Sequence, residues 1–228
     1  MYKYLLWDID GTLMDFLAQE KYAIQTLFRE FGFGECTDDM VASYSKINVA
    51  YWEKLERGEI EKPTMLVARF RDFFEQIGVD SSKAEAFNAK YQVTIGDCVV
   101  FMKDAMEVLQ EEKGNHVLVA VTNGTKVAQT RKLRASGLDQ IFDYVFISED
   151  VGYEKPSVEY FENVFETVGI TDKKEALIIG DSLSSDILGG INAGIDTCWF
   201  NPSRVENRRD YKATYEIKEL AEVRQIIG

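Results

Sequence analysis

The 228-residue sequence holds a single histidine, His116, and only three cysteines, Cys36, Cys98 and Cys198. The histidine comes just before an apolar, strand-like run. That puts it at the starting edge of the strand, away from chemistry built on strand ends, and argues against Ser/His/Asp and phosphohistidine mechanisms. The cysteines are odd in number, widely spaced and lack a C-x-x-C pair, which fits a reducing compartment. Positive charge is also scarce. Lys and Arg total 26 against 39 Asp and Glu, a net charge of −13, so the general field opposes nucleic acid and anionic membranes. An anionic substrate must then be held locally, by a metal, one lysine or a helix N-terminus. No apolar run approaches the ~20 residues of a membrane span, and no signal peptide, repeat, low-complexity linker, G-x-S-x-G or G-x-x-x-x-G-K-[ST] occurs. A cytosolic protein is expected.

What is present is ordinary globular material, 46% hydrophobic and 29% charged, in a pattern that changes twice. "YKYLLW" reads as a strand buried on both faces. From about residue 15 to residue 96 the period becomes helical: Phe16, Ile24, Leu27, Phe28 and Phe31 before Gly32; Met40, Val41, Tyr44, Ile47, Tyr51 and Leu55 before Gly58; Leu66, Phe70, Phe73, Phe74 and Ile77 before Gly78; then Phe87 and Tyr91. Beyond this, "HVLVAV", "YVFI", "EALIIG" and "TCWF" read as buried strands, with helices around 126–136, 158–168 and 186–193 between them. The expectation is an α/β fold, a three-layer doubly wound parallel sheet from residues 1–14 and 97–228, with residues 15–96 inserted as a helical bundle.

The strand ends carry the chemistry. The first runs into Asp8, Ile9 and Asp10, the second into Thr122, Asn123 and Gly124, the third towards Lys155, and the fourth into Asp181 with Asp186 close behind. In an open parallel sheet these ends share one edge, where ligands bind. Asp8, Asp181 and the Asp10 carbonyl suit Mg²⁺, a hard cation that takes carboxylates and phosphate. Asp8 is then free to attack phosphorus, Asp10 to act as acid and base, Thr122 and its neighbouring N–H groups to bind phosphoryl oxygens, and Lys155 to neutralise charge. Taken singly, each piece has a plainer explanation: a turn for "TNG", a solvated lysine before Pro156, a helix-end charge for Asp186.

In order, "DIDGT", "TNG", "EKP" and "GDSLSSD" resemble the four signature motifs of the haloacid-dehalogenase-like phosphohydrolases, with the helical insert in the place of a C1 cap. The resemblance implies Asp8 as nucleophile, Asp10 as acid/base, Thr122 and Lys155 in the phosphate site, and Asp181 with Asp186 at the metal. Trp7 stands where the superfamily more often has Phe, and Asp10 separates the chain from the true dehalogenases. "INVAYWEKLERGEI", "ARF", "SEDVGYEKP" and "SDILGGINAGIDTCWFNP" are similar to the bacterial house-cleaning pyrimidine 5′-nucleotidases, implying nucleoside monophosphates such as UMP, dUMP and dTMP as substrates.

Choice of leaving group falls to the insert and to a flap at about Leu13 to Gln19. Asn48, Trp52 and Arg69 offer an amide, an indole and a guanidinium to a planar polar base. The alternative places Trp52, with Tyr44 and Tyr51, in the bundle core and Arg69 on an exposed helix face. A sugar phosphatase is the rival substrate class. A phospho-acceptor receiver module, with its own Asp, Thr and Lys, is the rival from outside enzymes. A monomer or homodimer is expected.

Overall fold

Tyr4–Trp7 form β1, buried along its length and paired in parallel on both sides, in a computed structural model that describes residues 1–228. Four helices follow in the insert: α1 (Phe16–Glu30), α2 (Asp38–Glu56), α3 (Lys62–Ile77) and α4 (Ala84–Asp97). The Asp15 and Thr37 side chains accept from the N–H groups of Ala18 and Met40, capping α1 and α2. Gly78 ends α3 in the left-handed region. Between these helices lies an aromatic core in which Phe70 sits 5.0 Å from Phe87 and stacks on Tyr44 at 4.8 Å.

The chain then runs through α5 (Ala105–Glu112), β2 (Val117–Thr122), α6 (Lys126–Ser136), β3 (Tyr144–Ile147), the short α7 (Ser148–Val151), α8 (Val158–Val168), β4 (Ala176–Gly180), α9 (Leu188–Ala193), β5 (Asp196–Phe200), β6 (Tyr215–Ile217) and α10 (Arg224–Ile227). All strands are parallel, in the order β3-β2-β1-β4-β5-β6. Alternation along the strands makes two core layers. Leu5, Trp7, Leu118, Ala120, Leu177 and Ile179 pack with Val108 and Leu109 of α5. Leu6, Val119, Val121 and Ile178 pack with Tyr160, Phe161 and Val164 of α8 on the other face. The doubly wound α/β expectation is met. Gly189 and Gly190 serve close packing, since a Cβ there would meet Phe161 at 2.6 Å and Thr197 at 2.5 Å.

Three expectations need correction. β3 is an edge strand with Tyr144 and Val145 37% and 39% exposed, because nothing pairs with its outer side. β6 was not anticipated; its three residues are too few to show a period. The stretch 13–19 is not a free flap: Asp15 N–H donates to the Val100 carbonyl and Met102 N–H to that of Leu13, both at 2.9 Å, so the two chain crossings into the helical insert pair with each other.

Phe70 is fully buried among four other rings. Phe70→Ala should destabilise the protein by about 3–5 kcal/mol, read as a lowered midpoint in urea or thermal unfolding; a shift below about 1 kcal/mol would show that the bundle is not a packed core.

Candidate active site

The end of β1 meets the ends of β2 and β4 at Asp8, whose N–H donates to the Ile179 carbonyl at 2.9 Å. Lys155, 1% exposed, donates from Nζ to Asp8 Oδ1 at 2.7 Å, Asp186 Oδ1 at 2.6 Å and the Val121 carbonyl at 2.8 Å. Its backbone is clamped by Asn123, whose Oδ1 accepts from Lys155 N–H and whose Nδ2 donates to the Lys155 carbonyl, both at 2.8 Å. Asp186 lies in a π-helical turn, Leu183–Ile187, rather than at a helix start, and its Oδ2 accepts from Ser182 N–H at 3.0 Å. Thr122 Oγ1 accepts from Gly124 N–H at 3.1 Å, closing the loop after β2. Thr12, the last residue of "DIDGT" and one given no role from the sequence, places its hydroxyl 3.2 Å from both Asp8 Oδ2 and Asp181 Oδ1 and accepts from Asp181 N–H at 3.0 Å. Gly11 has φ +89°, and a Cβ there would fall 2.5 Å from Asp181 Oδ2, so the turn needs glycine twice over.

Negative charge exceeds positive at this point. Asp8, Asp181 and Asp186 each offer an oxygen within a 4.8 Å span, against one ammonium. Burial pushes the Asp8 carboxyl well above its ordinary range; Lys155 pulls it back, while Asp186 and Asp10 push it further. Asp181 is raised by burial, then by Asp8 and Asp186. For Lys155 burial works against the charge, but Asp186 and Asp8 overcome it and the pKa rises. A buried, all-oxygen, under-neutralised set of this kind fits a hard divalent cation.

These groups line a cavity of about 170 Å³ that also receives Phe16, Trp52 and Glu56 from the helical insert. A narrower hollow of about 30 Å³ continues past Asp10, Phe16, Trp52 and Gly124 to Arg69, Tyr91 and Gln92. Trp52 is therefore half-buried in the cavity wall, whereas Tyr44 lies in the bundle core. Arg69 is not an exposed helix residue: it is 2% exposed and donates to Asn48 Oδ1 at 2.6 Å. Asn48 in turn donates to Glu20 Oε1 at 2.9 Å and lines neither hollow. It stands behind Arg69, so any effect on a ligand passes through the guanidinium.

Residues outside the four signature motifs also reach the site. Glu56 at the end of α2 is pushed up to about 7, first by burial, with a hydrogen bond from Ser184 opposing and Asp186 adding to the rise. Its Oε2 is buried without a partner. Lys62 crosses from α3 to the sheet side, donating to the Asn123 carbonyl at 3.0 Å and Ser148 Oγ at 2.7 Å, with Glu154 Oε1 at 3.0 Å. Asp10 is gripped by Gln129 and Lys132 of α6. Long-range contacts of this sort leave no local spacing to read.

Residues 5–200 match the haloacid dehalogenase-like hydrolase family. The chain belongs to this family. It is 36% identical over 227 residues to the HAD-hydrolase YfnB of Bacillus subtilis, covering 100% of this chain and 96% of that protein. The crystal structure of YfnB bound to magnesium superposes with a TM-score of 0.94, covering 100% of this chain and 99% of that one. The pyrimidine 5′-nucleotidase PynA of Streptococcus pneumoniae is 37% identical over 95% of this chain and 91% of its own length. YjjG of Escherichia coli, another pyrimidine 5′-nucleotidase, is 29% identical over 98% and 97%. The resemblance read from the four motifs is thus borne out, and the chain is a hydrolase.

The raised carboxyls fix the sign of one pH effect. Asp8 and Glu56, both raised to about 7, take up protons in the folded protein at a higher pH than in the unfolded chain, so their contribution to stability grows as pH falls through about 7 and is complete below about 4; Asp181, raised as well, acts in the same direction. In excess chelator, the melting temperature should be higher at about pH 6 than at about pH 8, and Glu56→Gln should flatten that slope. A slope of the opposite sign, or one untouched by the substitution, would contradict this account of the charge balance.

Proposed function

We propose that this hydrolase is a phosphoric monoesterase that works through an aspartyl-phosphate and takes pyrimidine nucleoside monophosphates as its preferred substrates. The observation that carries the proposal is the buried contact of Lys155 with Asp8 at the edge where Asp10, Thr122, Asp181 and Asp186 also end. Asp8 attacks phosphorus, and the bond to the leaving oxygen breaks as Asp10 gives that oxygen a proton. Asp10 then takes a proton from the water that displaces Asp8. Thr122, with the N–H groups of Asn123 and Gly124, and Lys155 hold the phosphoryl oxygens and offset their charge. Asp8, Asp181, Asp186 and the Asp10 carbonyl would hold Mg²⁺, whose charge lets a carboxylate approach a phosphate dianion.

The nucleotide preference is supported by PynA and YjjG, whose likeness spans the helical insert as well as the sheet, and by the hollow beyond Asp10. There Trp52 offers a stacking face and Arg69 a fixed cation, with Asn48 holding Arg69 from behind. In a Mg²⁺-supplemented panel, UMP, dUMP and dTMP should show higher kcat/KM than hexose or triose phosphates. Trp52→Ala should cost UMP about tenfold more than p-nitrophenyl phosphate, as loss of base stacking predicts. Sugar phosphates outrunning every nucleotide would reject the nucleotidase assignment and leave the phosphatase standing.

Asp8→Asn keeps shape and removes the nucleophile, so turnover should drop to background. In the wild type, Mg²⁺ should raise the melting temperature, since a ligand bound only by the folded state stabilises it; Asp181→Asn should lose that rise. A tenth of wild-type activity surviving in Asp8→Asn would rule out the covalent role. Stoichiometric phosphorylation without turnover would point instead to a receiver-like signalling module.

A further inference from the structure

We propose that Gln129 and Lys132 are the residues that aim the acid/base carboxylate, so that proton delivery to the leaving group is set by helix α6 rather than by the helical insert. The inference rests on the phosphoric monoesterase reading above and deepens it.

Gln129 and Lys132 are three positions apart on α6 and so share a face. Each is 1% exposed. They divide Asp10 between them: Gln129 Nε2 donates to Oδ2 at 2.6 Å, and Lys132 Nζ to Oδ1. Two donors on different oxygens fix both rotations of a side chain that would otherwise turn freely at the mouth of the narrower hollow.

Two observations mark the arrangement as built for Asp10. A Cβ on Gly124 would fall 2.1 Å from Gln129 Nε2, so Gln129 reaches Asp10 only by crossing the bare glycine of the phosphate loop. The Gln129 Oε1 is buried with no partner, an unfavourable state that a merely structural glutamine would relieve. Lys132 Nζ also lies 5.8 Å from the centre of the Phe16 ring, and both residues line the hollow where a leaving group departs.

Asp10 must donate as the bond from phosphorus to the leaving oxygen breaks. Its placement therefore matters most when that oxygen leaves poorly without a proton. The test compares kcat/KM for p-nitrophenyl phosphate, which expels a stable anion, with that for phenyl phosphate, which does not. Lys132→Met should lower the phenyl value about tenfold more than the nitrophenyl value, a tenth or less of what a general acid supplies. Lys132→Arg should restore most of the ratio. In an Asp10→Asn background Lys132→Met should change the ratio no further, as groups acting as one unit require. Gln129→Met should shift the ratio in the same direction, and it carries the test if Lys132→Met does not fold. Equal losses on both esters, or a ratio that still moves without the Asp10 carboxyl, would overturn the inference while wild-type turnover keeps the phosphatase reading intact. A wild type that hydrolyses neither ester would defeat both.

Discussion

Lys155 carries its ammonium into a space where Asp8 and Asp186 lie at 2.7 and 2.6 Å and the Val121 carbonyl at 2.8 Å. Three strands, β1, β2 and β4, must end in register for that contact to exist. The parallel pairings Trp7↔Ala120 and Trp7↔Ile179 supply the register. Breaking such a buried pair by removing one partner costs about 3–5 kcal/mol, because an unpaired charge stays behind. The sheet, whose core layers are apolar on both faces, provides the stability that tolerates the cluster. The cluster, with more carboxylates than ammonium groups, is left with an excess of negative charge that favours a cation.

Much of this was legible in the sequence, because the informative residues sit where a period changes. The two-sided apolar run of β1 stops at Asp8, and the run of β4 stops at Asp181, so strand ends and carboxylates announce each other. The bundle helices were legible through Phe28, Phe70, Phe73 and Phe74, which keep helical spacing and meet in one core. β6 and the exposed half of β3 were not, since three residues carry no period and an edge is a property of neighbours. Arg69 shows a different limit. Its position on α3 is readable, but its burial against Asn48 depends on α2 lying alongside, at a separation of 21 residues.

Three of the site residues that local sequence could not show share one feature: Gln129, Lys132 and Lys62 reach Asp10 or the loop after β2 from a distant element. Gln129 and Lys132 stand 119 and 122 positions from Asp10, and Lys62 stands 61 from Asn123. The motifs therefore report the groups gathered in one cavity at the strand ends. The helices behind them report how those groups are held.

A continuous line of contacts joins the helical insert to Asp8. Lys62 of α3 donates to the Asn123 carbonyl, the Asn123 amide clamps the Lys155 backbone, and Lys155 grips Asp8. Asp10 is held from the other side, by α6, which itself packs into the bundle core through Ala128. Displacing the helices would strip Lys62 of acceptors on three segments of the sheet side, Asn123, Ser148 and Glu154, at a cost that water at the opened interface only partly offsets. The arrangement that encloses the cavity with Trp52 and Glu56 is thus the same one that tightens the loop holding Lys155. Enclosure and charge placement are coupled through one lysine that belongs to no motif.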